Sequence, residues 1–542
     1  MTPCFDKVDL LAPSVRSSPL LPEYRHVRNC DQASTDWASW NPQFFNGIWS
    51  SMLRPWDFTF VIRRDTTTAV YLQIAHAVID EIKRGRLVAG AALPGSRKLA
   101  ESLRIDRKTI IQAYGELEAQ GWVTSEKTRG TFVSAQLPQV SPTRKQERQS
   151  GIPEQPDFRM IGSPPNIPLI LPQRNLLVFD DGVPDTRLIP VEALARGYRN
   201  ALRHHLVRGR FGYGDPRGTL ELRTAISTML NMDRGMTTTP DNICLTRGSQ
   251  MAIYLAAHML AGRGDAVVME ELSYPPAREA FRHAGAEVVP VPLDEGGMCV
   301  DKLEKICRRK RVRAVYVTPH HQFPTTVLMR PDRRLRLLLL AAQFGFAIVE
   351  DDYDHEFHFV HQPMLPIASF DLAGRVAYIG SISKCLSPSH RLGYLVGPKS
   401  FIERAGQEIM VIDRQGDPAT EYTIANLIET GELRRHMRKV LKIYGERRAC
   451  FADLLVELFD GNIEFSVPDG GLAFWVKFTG IQLDRLTEAA MRAGVAILPA
   501  SSLTIGPRTI DAARLGFASM TVEELRRATH RLNRVFRKIA GS

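Results

Sequence analysis

Apolar and polar positions follow two different periods along this chain, and the change of period divides it. From 71 to 84, apolar side chains recur at Tyr71, Ile74, Ala75, Val78, Ile79 and Ile82, the spacing of one helix face. Gly85 and Gly90 end the stripe. Leu93-Pro-Gly-Ser96-Arg97 then opens a short helix through Leu103, and a tight connection leads to Asp106-Arg107-Lys108-Thr109. A third helix starts there, with Ile110, Ala113, Tyr114 and Leu117 as core positions. Gly121-Trp-Val-Thr, Lys127-Thr-Arg-Gly130 and Thr131-Phe-Val133 predict a two-stranded wing. A short helix, a turn and a helix with basic residues on its first turn suit a helix-turn-helix in the major groove. An ordinary three-helix bundle has the same outline.

Farther along, the runs Ala266-Val-Val-Met-Glu270, Phe346-Ala-Ile-Val-Glu350 and Val376-Ala-Tyr-Ile-Gly380 are apolar and of buried-strand length. The second ends abruptly in Asp351-Asp352-Tyr353-Asp354. Acids there fit either a helix N-cap cluster or a ligand site, since open α/β sheets bind ligands outside the carboxyl ends of their strands. Beyond the third run comes Ser381-Ile-Ser383-Lys384, with Arg391 seven residues on. A lysine flanked by hydroxyls and followed by an arginine can form a Schiff base to an aldehyde cofactor beside a phosphate, and pyridoxal phosphate needs both. Asp351 would keep the proton on the pyridine nitrogen, and Tyr353 would hydrogen-bond the ring's 3-oxygen. Gly248-Ser249-Gln250, between a short strand and a helix, predicts an anion site made of backbone N–H groups. Tyr274, after the strand 266–270, is placed to stack on the cofactor ring.

The landmarks Gly182-Val-Pro-Asp185, Phe211-Gly-Tyr213-Gly-Asp-Pro-Arg-Gly218, Gly248-Ser-Gln250, Pro319-His-His-Gln-Phe-Pro324, Asp351-x-Tyr353, Lys384, Arg391 and Ala513-Arg514-Leu-Gly-Phe stand in one order. In that order they resemble the fold-type I pyridoxal-phosphate aminotransferases. The resemblance implies that Tyr213 reaches the phosphate of a neighbouring subunit and that Arg514 grips a substrate or effector carboxylate. Before residue 135, Tyr-Leu-Gln-Ile, Leu-Pro-x-Ser-Arg, Arg-Lys-Thr, Gly-Trp-Val and Gly-Thr-Phe-Val resemble the GntR winged-helix domains. That resemblance implies DNA contacts from Ser96, Arg97, Arg107, Lys108 and Thr109, with Lys127 and Arg129 on the wing. The two together are the layout of the MocR subfamily of transcription regulators.

The expected fold class is therefore multidomain. An α+β winged helix-turn-helix at 61–135 precedes an α/β fold-type I transferase at 176–542, with a large mixed-sheet part at about 205–410 and a small C-terminal α/β part at about 430–542. Between them, 136–175 is rich in proline and reads as a tether. Residues 1–60 carry tryptophans without a clear period and remain unassigned; Met52 is a candidate start that would leave a short lead into the first helix.

Composition changes little. The net charge of +11 is compatible with a polyanion partner, but residues 61–135 hold 12 basic and 8 acidic side chains, so the excess is diffuse. Seven cysteines without a C-x-x-C pair predict neither a disulfide framework nor a zinc site. With no apolar run of membrane-spanning length, a cytoplasmic location is expected.

The open question is enzyme or sensor. Lysine, acid, tyrosine and arginines would all serve an active transaminase. Yet Phe323-Pro-Thr-Thr326 stands where active aminotransferases have Asn-Pro-Thr-Gly, His320 precedes His321 where such regulators usually have serine, and Ser273 and Ala473 also depart from the enzyme pattern. The expectation is a regulator with weak or no turnover that senses an amine, an amino acid or a B6 vitamer on Lys384. It would bind double-stranded DNA as a head-to-tail, domain-swapped homodimer.

Overall fold

The computed structural model describes residues 62–138, 155–160, 165, 167, 175–207, 212–360, 364–498, 500–506 and 510–541. Expectations for residues 1–60, including Met52, and for most of the proline-rich stretch lie outside these. The chain divides into two units, Met1–Met160 and Ile161–Ser542.

In the first unit α1 (Val70–Lys83), α2 (Ser96–Leu103) and α3 (Arg107–Ala119) precede the antiparallel pair β1 (Val123–Glu126) and β2 (Gly130–Val133). The predicted apolar stripe faces inward: Ile74, Val78, Leu99, Ile110, Ala113 and Leu117 are buried together with Trp122 and Val133. Two local signals set the helix-turn-helix angle. Arg104 closes α2 in the left-handed region at φ 52, and the Asp106 carboxylate caps α3 by accepting the Lys108 amide at 2.6 Å. The Tyr114 hydroxyl donates to the Pro94 carbonyl at 2.7 Å, fixing α3 against the turn before α2.

The second unit begins with β3 (Leu177–Phe179), α4 (Val191–Val207) and α5 (Leu220–Arg234). Strands and helices then alternate: β4 (Ile243–Thr246), α6 (Ser249–Leu260), β5 (Ala266–Glu270), α7 (Pro275–His283) and β6 (Glu287–Val291). A small hairpin, β7 (Leu293–Asp294) and β8 (Gly297–Met298), leads to α8 (Val300–Cys307), β9 (Val312–Val317), α9 (Pro331–Phe344), β10 (Ala347–Asp352), β11 (Val376–Ser381) and β12 (Gly393–Val396). Helices α10 (Lys399–Ile412), α11 (Pro418–Glu429) and α12 (Glu432–Phe459) follow. The last part comprises β13 (Ile463–Phe465), β14 (Ala473–Phe478), α13 (Leu483–Arg492), β15 (Val495–Ile497), β16 (Ala512–Gly516) and α14 (Val522–Ala540).

Seven strands form one sheet in the order β4-β12-β11-β10-β9-β5-β6. Strands β11, β10, β9, β5 and β6 run parallel, whereas β12 pairs antiparallel with both β11 and β4. The middle strands are buried along their length, as expected of a parallel sheet covered on both faces. A separate antiparallel sheet, β13-β14-β16, belongs to the C-terminal part.

The acidic run proves to be strand and not helix cap. β10 extends through Asp351 and Asp352, two residues beyond the expected end, and among the described residues no α-helix follows it before β11. The hydrogen bonds of β11 hold the acids in register, with Asp351 opposite Ile379 and Asp352 opposite Gly380.

A buried acid also ends β5. Glu270 is 1% exposed; the Gln322 side-chain amide donates to its Oε2 at 3.0 Å, while Oε1 has no partner. Burial pushes its carboxyl up to about 8. Above the ordinary carboxylate range the unfolded chain loses this proton while the folded chain keeps it, so this group's contribution to stability falls as pH rises toward 8. Glu270→Gln is therefore expected to gain roughly 1–3 kcal/mol over the parent at pH 8 and less than half of that at pH 5.5. Denaturant titrations at the two pH values read this, and an equal difference at both would contradict it.

Candidate cofactor site and nucleic-acid interface

Three strand ends of the large sheet supply the site. Asp351, at the end of β10, is 3% exposed. Its Oδ2 accepts the Tyr316 hydroxyl at 2.7 Å, and its Oδ1 is buried without any hydrogen-bond partner. Burial, aided by the neighbouring charge of Asp352, raises its carboxyl to about 7 against the opposing pull of Tyr316 and Lys384. A buried acceptor left open costs free energy, and a protonated ring nitrogen is the kind of donor that would remove the cost.

Lys384 follows β11 and is partly buried. Its Nζ donates to the Gly182 carbonyl at 3.0 Å and stands 4.4 Å over the Tyr353 ring. Tyr353 donates its hydroxyl to the His321 carbonyl at 2.8 Å. Of the flanking serines, Ser381 is the buried last residue of β11. Ser383 is engaged with Leu392 on both sides, donating to its carbonyl and accepting its amide, each at 3.2 Å.

The anion cradle comes from β4, α6 and β12. Gly248 precedes α6 at φ 76, and no side chain caps the helix start. The Arg391 Nη2 donates to the Arg247 carbonyl at 2.8 Å. A Cβ built on Gly248 would fall 2.9 Å from that nitrogen, so only glycine lets the guanidinium lie this close. Gly393 plays the reciprocal part, because a Cβ there would come 2.7 Å from the Ser249 amide. Ser249 is the first residue of α6. Gln250 donates to the Pro276 carbonyl at 3.2 Å. An uncapped helix N-terminus beside a guanidinium suits a phosphate dianion.

Arg514, on β16, is fully buried. It donates to the carbonyls of Asp181 at 2.9 Å and Pro324 at 3.0 Å and to the Tyr353 hydroxyl at 3.2 Å. All three partners are neutral. Phe323 packs among these groups, its ring 4.9 Å from the Arg514 guanidinium and edge-on to Tyr274 at 5.1 Å. Thr326 holds φ 63, a left-handed conformation that strains a β-branched residue where glycine would be relaxed. Tyr213 lies apart from this group. It is 79% exposed with the Arg414 guanidinium 4.7 Å over its ring.

In the winged helix, Arg97, Arg107, Lys108, Lys127 and Arg129 are exposed, and Ser96 and Thr109 are half-buried. The Arg107 Nε donates to Ser96 Oγ at 3.3 Å, joining the starts of α2 and α3. Arg129, in the wing turn, pairs with Glu126 at 3.0 Å. Sequence reasoning missed Tyr316 and the Gly182 carbonyl. A tyrosine inside the buried run Ala314–Val317 of β9 was a usable signal; a carbonyl contact 202 residues away in sequence had none.

The fold and this set of groups define a pyridoxal-phosphate-dependent fold-type I domain carried with a winged-helix DNA-binding domain. The profile "Aminotransferase class I and II" matches residues 175–532, and "Bacterial regulatory proteins, gntR family" matches residues 70–133. The chain is 29% identical over 485 residues to the "Probable rhizopine catabolism regulatory protein MocR" of Rhizobium meliloti, covering 89% of this chain and 97% of that one. It is 30% identical over 357 residues to aromatic-amino-acid aminotransferase 1 of Thermococcus litoralis, covering 65% of this chain and 85% of that enzyme. Among solved structures, the kynurenine aminotransferase of Pyrococcus horikoshii in complex with PMP aligns with TM-score 0.63 at 28% identity, over 67% of this chain and 91% of that one. The chain belongs to the class I and II aminotransferase family, and its layout is that of the MocR-type GntR regulators.

Two substitutions test the cradle. Arg391→Ala removes a charge-assisted contact and is expected to weaken pyridoxal-phosphate affinity roughly 10- to 100-fold. Gly248→Ala is expected to displace the guanidinium and weaken it comparably. Absorbance titration measures both, and parental affinity in the two variants would contradict the cradle.

Proposed function

We propose that this protein is a sequence-specific transcription regulator that binds pyridoxal phosphate and senses an amino compound or a B6 vitamer through Lys384. The observation that carries the reading is the buried, unpartnered Oδ1 of Asp351, in a domain where Lys384 and the Gly248–Arg391 cradle are also present, on a chain that also carries a winged helix. Asp351 would hold the ring proton, Tyr353 would hydrogen-bond the ring oxygen, Tyr274 would stack on the ring, and Gly248, Ser249, Gln250, Ser381, Ser383 and Arg391 would hold the phosphate. When bound, the cofactor supplies an aldehyde that exchanges amines. Arg514, whose hydrogen-bond partners are all neutral, receives the effector's carboxylate where there is one. Arg97, Arg107, Lys108 and Thr109 meet DNA with Ser96 at the helix start, and Lys127 and Arg129 touch phosphates from the wing. Tyr213, exposed and away from its own site, serves the neighbouring subunit of a head-to-tail homodimer, whose two winged helices read two half-sites.

The effector acts by population shift, which requires it to bind one arrangement of the dimer more tightly than the other. Phe323 favours sensing over turnover, since an apolar ring stands where an active transaminase has a polar support. A working aminotransferase with an accessory DNA module is the second reading, favoured by the retention of Lys384, Asp351, Tyr353, Arg391 and Arg514.

Footprinting on the DNA upstream of the chain's own gene separates these readings. Cofactor-loaded protein is expected to protect two half-sites, with affinity shifting about 5-fold or more on adding the cognate amine. Lys384→Ala is expected to keep the footprint and lose the response. Absence of any footprint contradicts the regulator, and many turnovers of an amino acid with a keto acid establish the enzyme.

A further inference from the structure

Beside the cofactor residues stands a histidine cluster for which the aldehyde chemistry has no use. His320 follows β9, and His355 and His358 follow β10. Each offers one ring nitrogen, and the three nitrogens lie within 4.8 Å of one another. The ring centroids are 4.6 Å apart for His320–His355, 5.1 Å for His320–His358 and 5.5 Å for His355–His358. His320 is 2% and His355 5% exposed, and His358 is half-buried.

Their hydrogen bonding is incomplete in an informative way. His320 Nδ1 and His358 Nε2 are buried with no hydrogen-bond partner, and His320 Nδ1 stands 3.9 Å from Asp352 Oδ1. The His355 Nδ1 is engaged with Asp352 Oδ2 at 2.9 Å, which leaves the other face of that ring free of this bond. Asp352 is fixed in turn by the Tyr378 hydroxyl at 2.7 Å and by Arg234 at 3.8 Å. Burying open nitrogens on two adjacent rings is costly unless something occupies the space between them.

We propose that His320, His355 and His358 bind a divalent transition-metal ion of the Zn²⁺ class, with Asp352 orienting His355 from behind. Three imidazoles select Zn²⁺, Co²⁺, Ni²⁺ or Cu²⁺ over Mg²⁺ and Ca²⁺, which prefer oxygen ligands. The carboxylate on the far nitrogen of His355 is the arrangement that fixes tautomer and ring orientation in histidine metal sites. Zn–N bonds of about 2.0–2.1 Å place tetrahedral ligand nitrogens about 3.3 Å apart, so small side-chain rotations close the site. A water completes the coordination. A cavity of about 540 Å³, lined in part by His320, His321, His358, Thr325 and Trp475, provides the entry.

The ion ties the segment after β9 to the segment after β10. The first of these carries Phe323 and Pro324 against Arg514, and the second carries Tyr353. Metal occupancy thereby stiffens the wall of the effector pocket. The site does not depend on the regulator reading.

The test uses the full chain, stripped with chelator, loaded with Zn²⁺ or Co²⁺ and desalted. The expected result is one retained ion per chain by elemental analysis, with Co²⁺ giving the strong visible absorption of tetrahedral coordination and Zn²⁺ abolishing it. His355→Ala and His358→Gln are each expected to lower affinity at least about tenfold, with pyridoxal-phosphate binding serving as the check that each variant is folded. His258→Ala, altering a histidine near His283 elsewhere in the unit, is expected to keep the ion. Failure of the parent to retain metal overturns the proposal, as does retention of the ion by the His355→Ala, His358→Gln double variant.

Discussion

The second unit depends on one constraint: a carboxylate at the end of a central parallel strand, buried on every side and satisfied on only one oxygen. Asp351 sits there because β10 runs two residues past its apolar stretch, and its neighbours in β11 hold it in register. The Tyr316 hydroxyl takes one oxygen, and the other is left for a donor that the described residues do not supply. Solvent cannot screen the charge at this depth, so the unliganded protein bears the cost. A protonated ring nitrogen would relieve it, so the acid that destabilises the unliganded protein is also suited to select such a ligand.

The surrounding groups follow from the same sheet. β12 returns antiparallel beside β4, bringing Arg391 over the start of α6, and the glycines at 248 and 393 permit an approach that any Cβ would block. The cradle is thus built mainly from backbone and one guanidinium. The winged helix solves a different problem with different means. Its core is a single apolar stripe per helix, and Arg97, Arg107, Lys108, Lys127 and Arg129 stay exposed, which suits a polyanion without the cost of burial. One unit buries its charges, and the other exposes them.

Much of this was legible in the residues. The helix periods at 70–83 and 107–119 and the strand at 266–270 each have a local cause, amphipathic repeat or apolar run. What escaped was non-local. That Tyr316 would be the partner of Asp351, or that Gly182 would accept from Lys384, depends on how distant elements pack. The acidic run was ambiguous for a physical reason, because aspartates both cap helices and end strands, and only the register with β11 decides between them. The histidines at 320, 355 and 358 were visible singly, and sequence separation hid that they converge.

The most direct test of the account is a carboxyl carbon NMR titration of Asp351, assigned by comparison with Asp351→Asn. In the cofactor-free protein this carboxyl should titrate near 7, and in the pyridoxal-phosphate complex it should remain ionised to below about 4. The same midpoint with and without the cofactor would contradict the claim that this acid waits for a protonated ring.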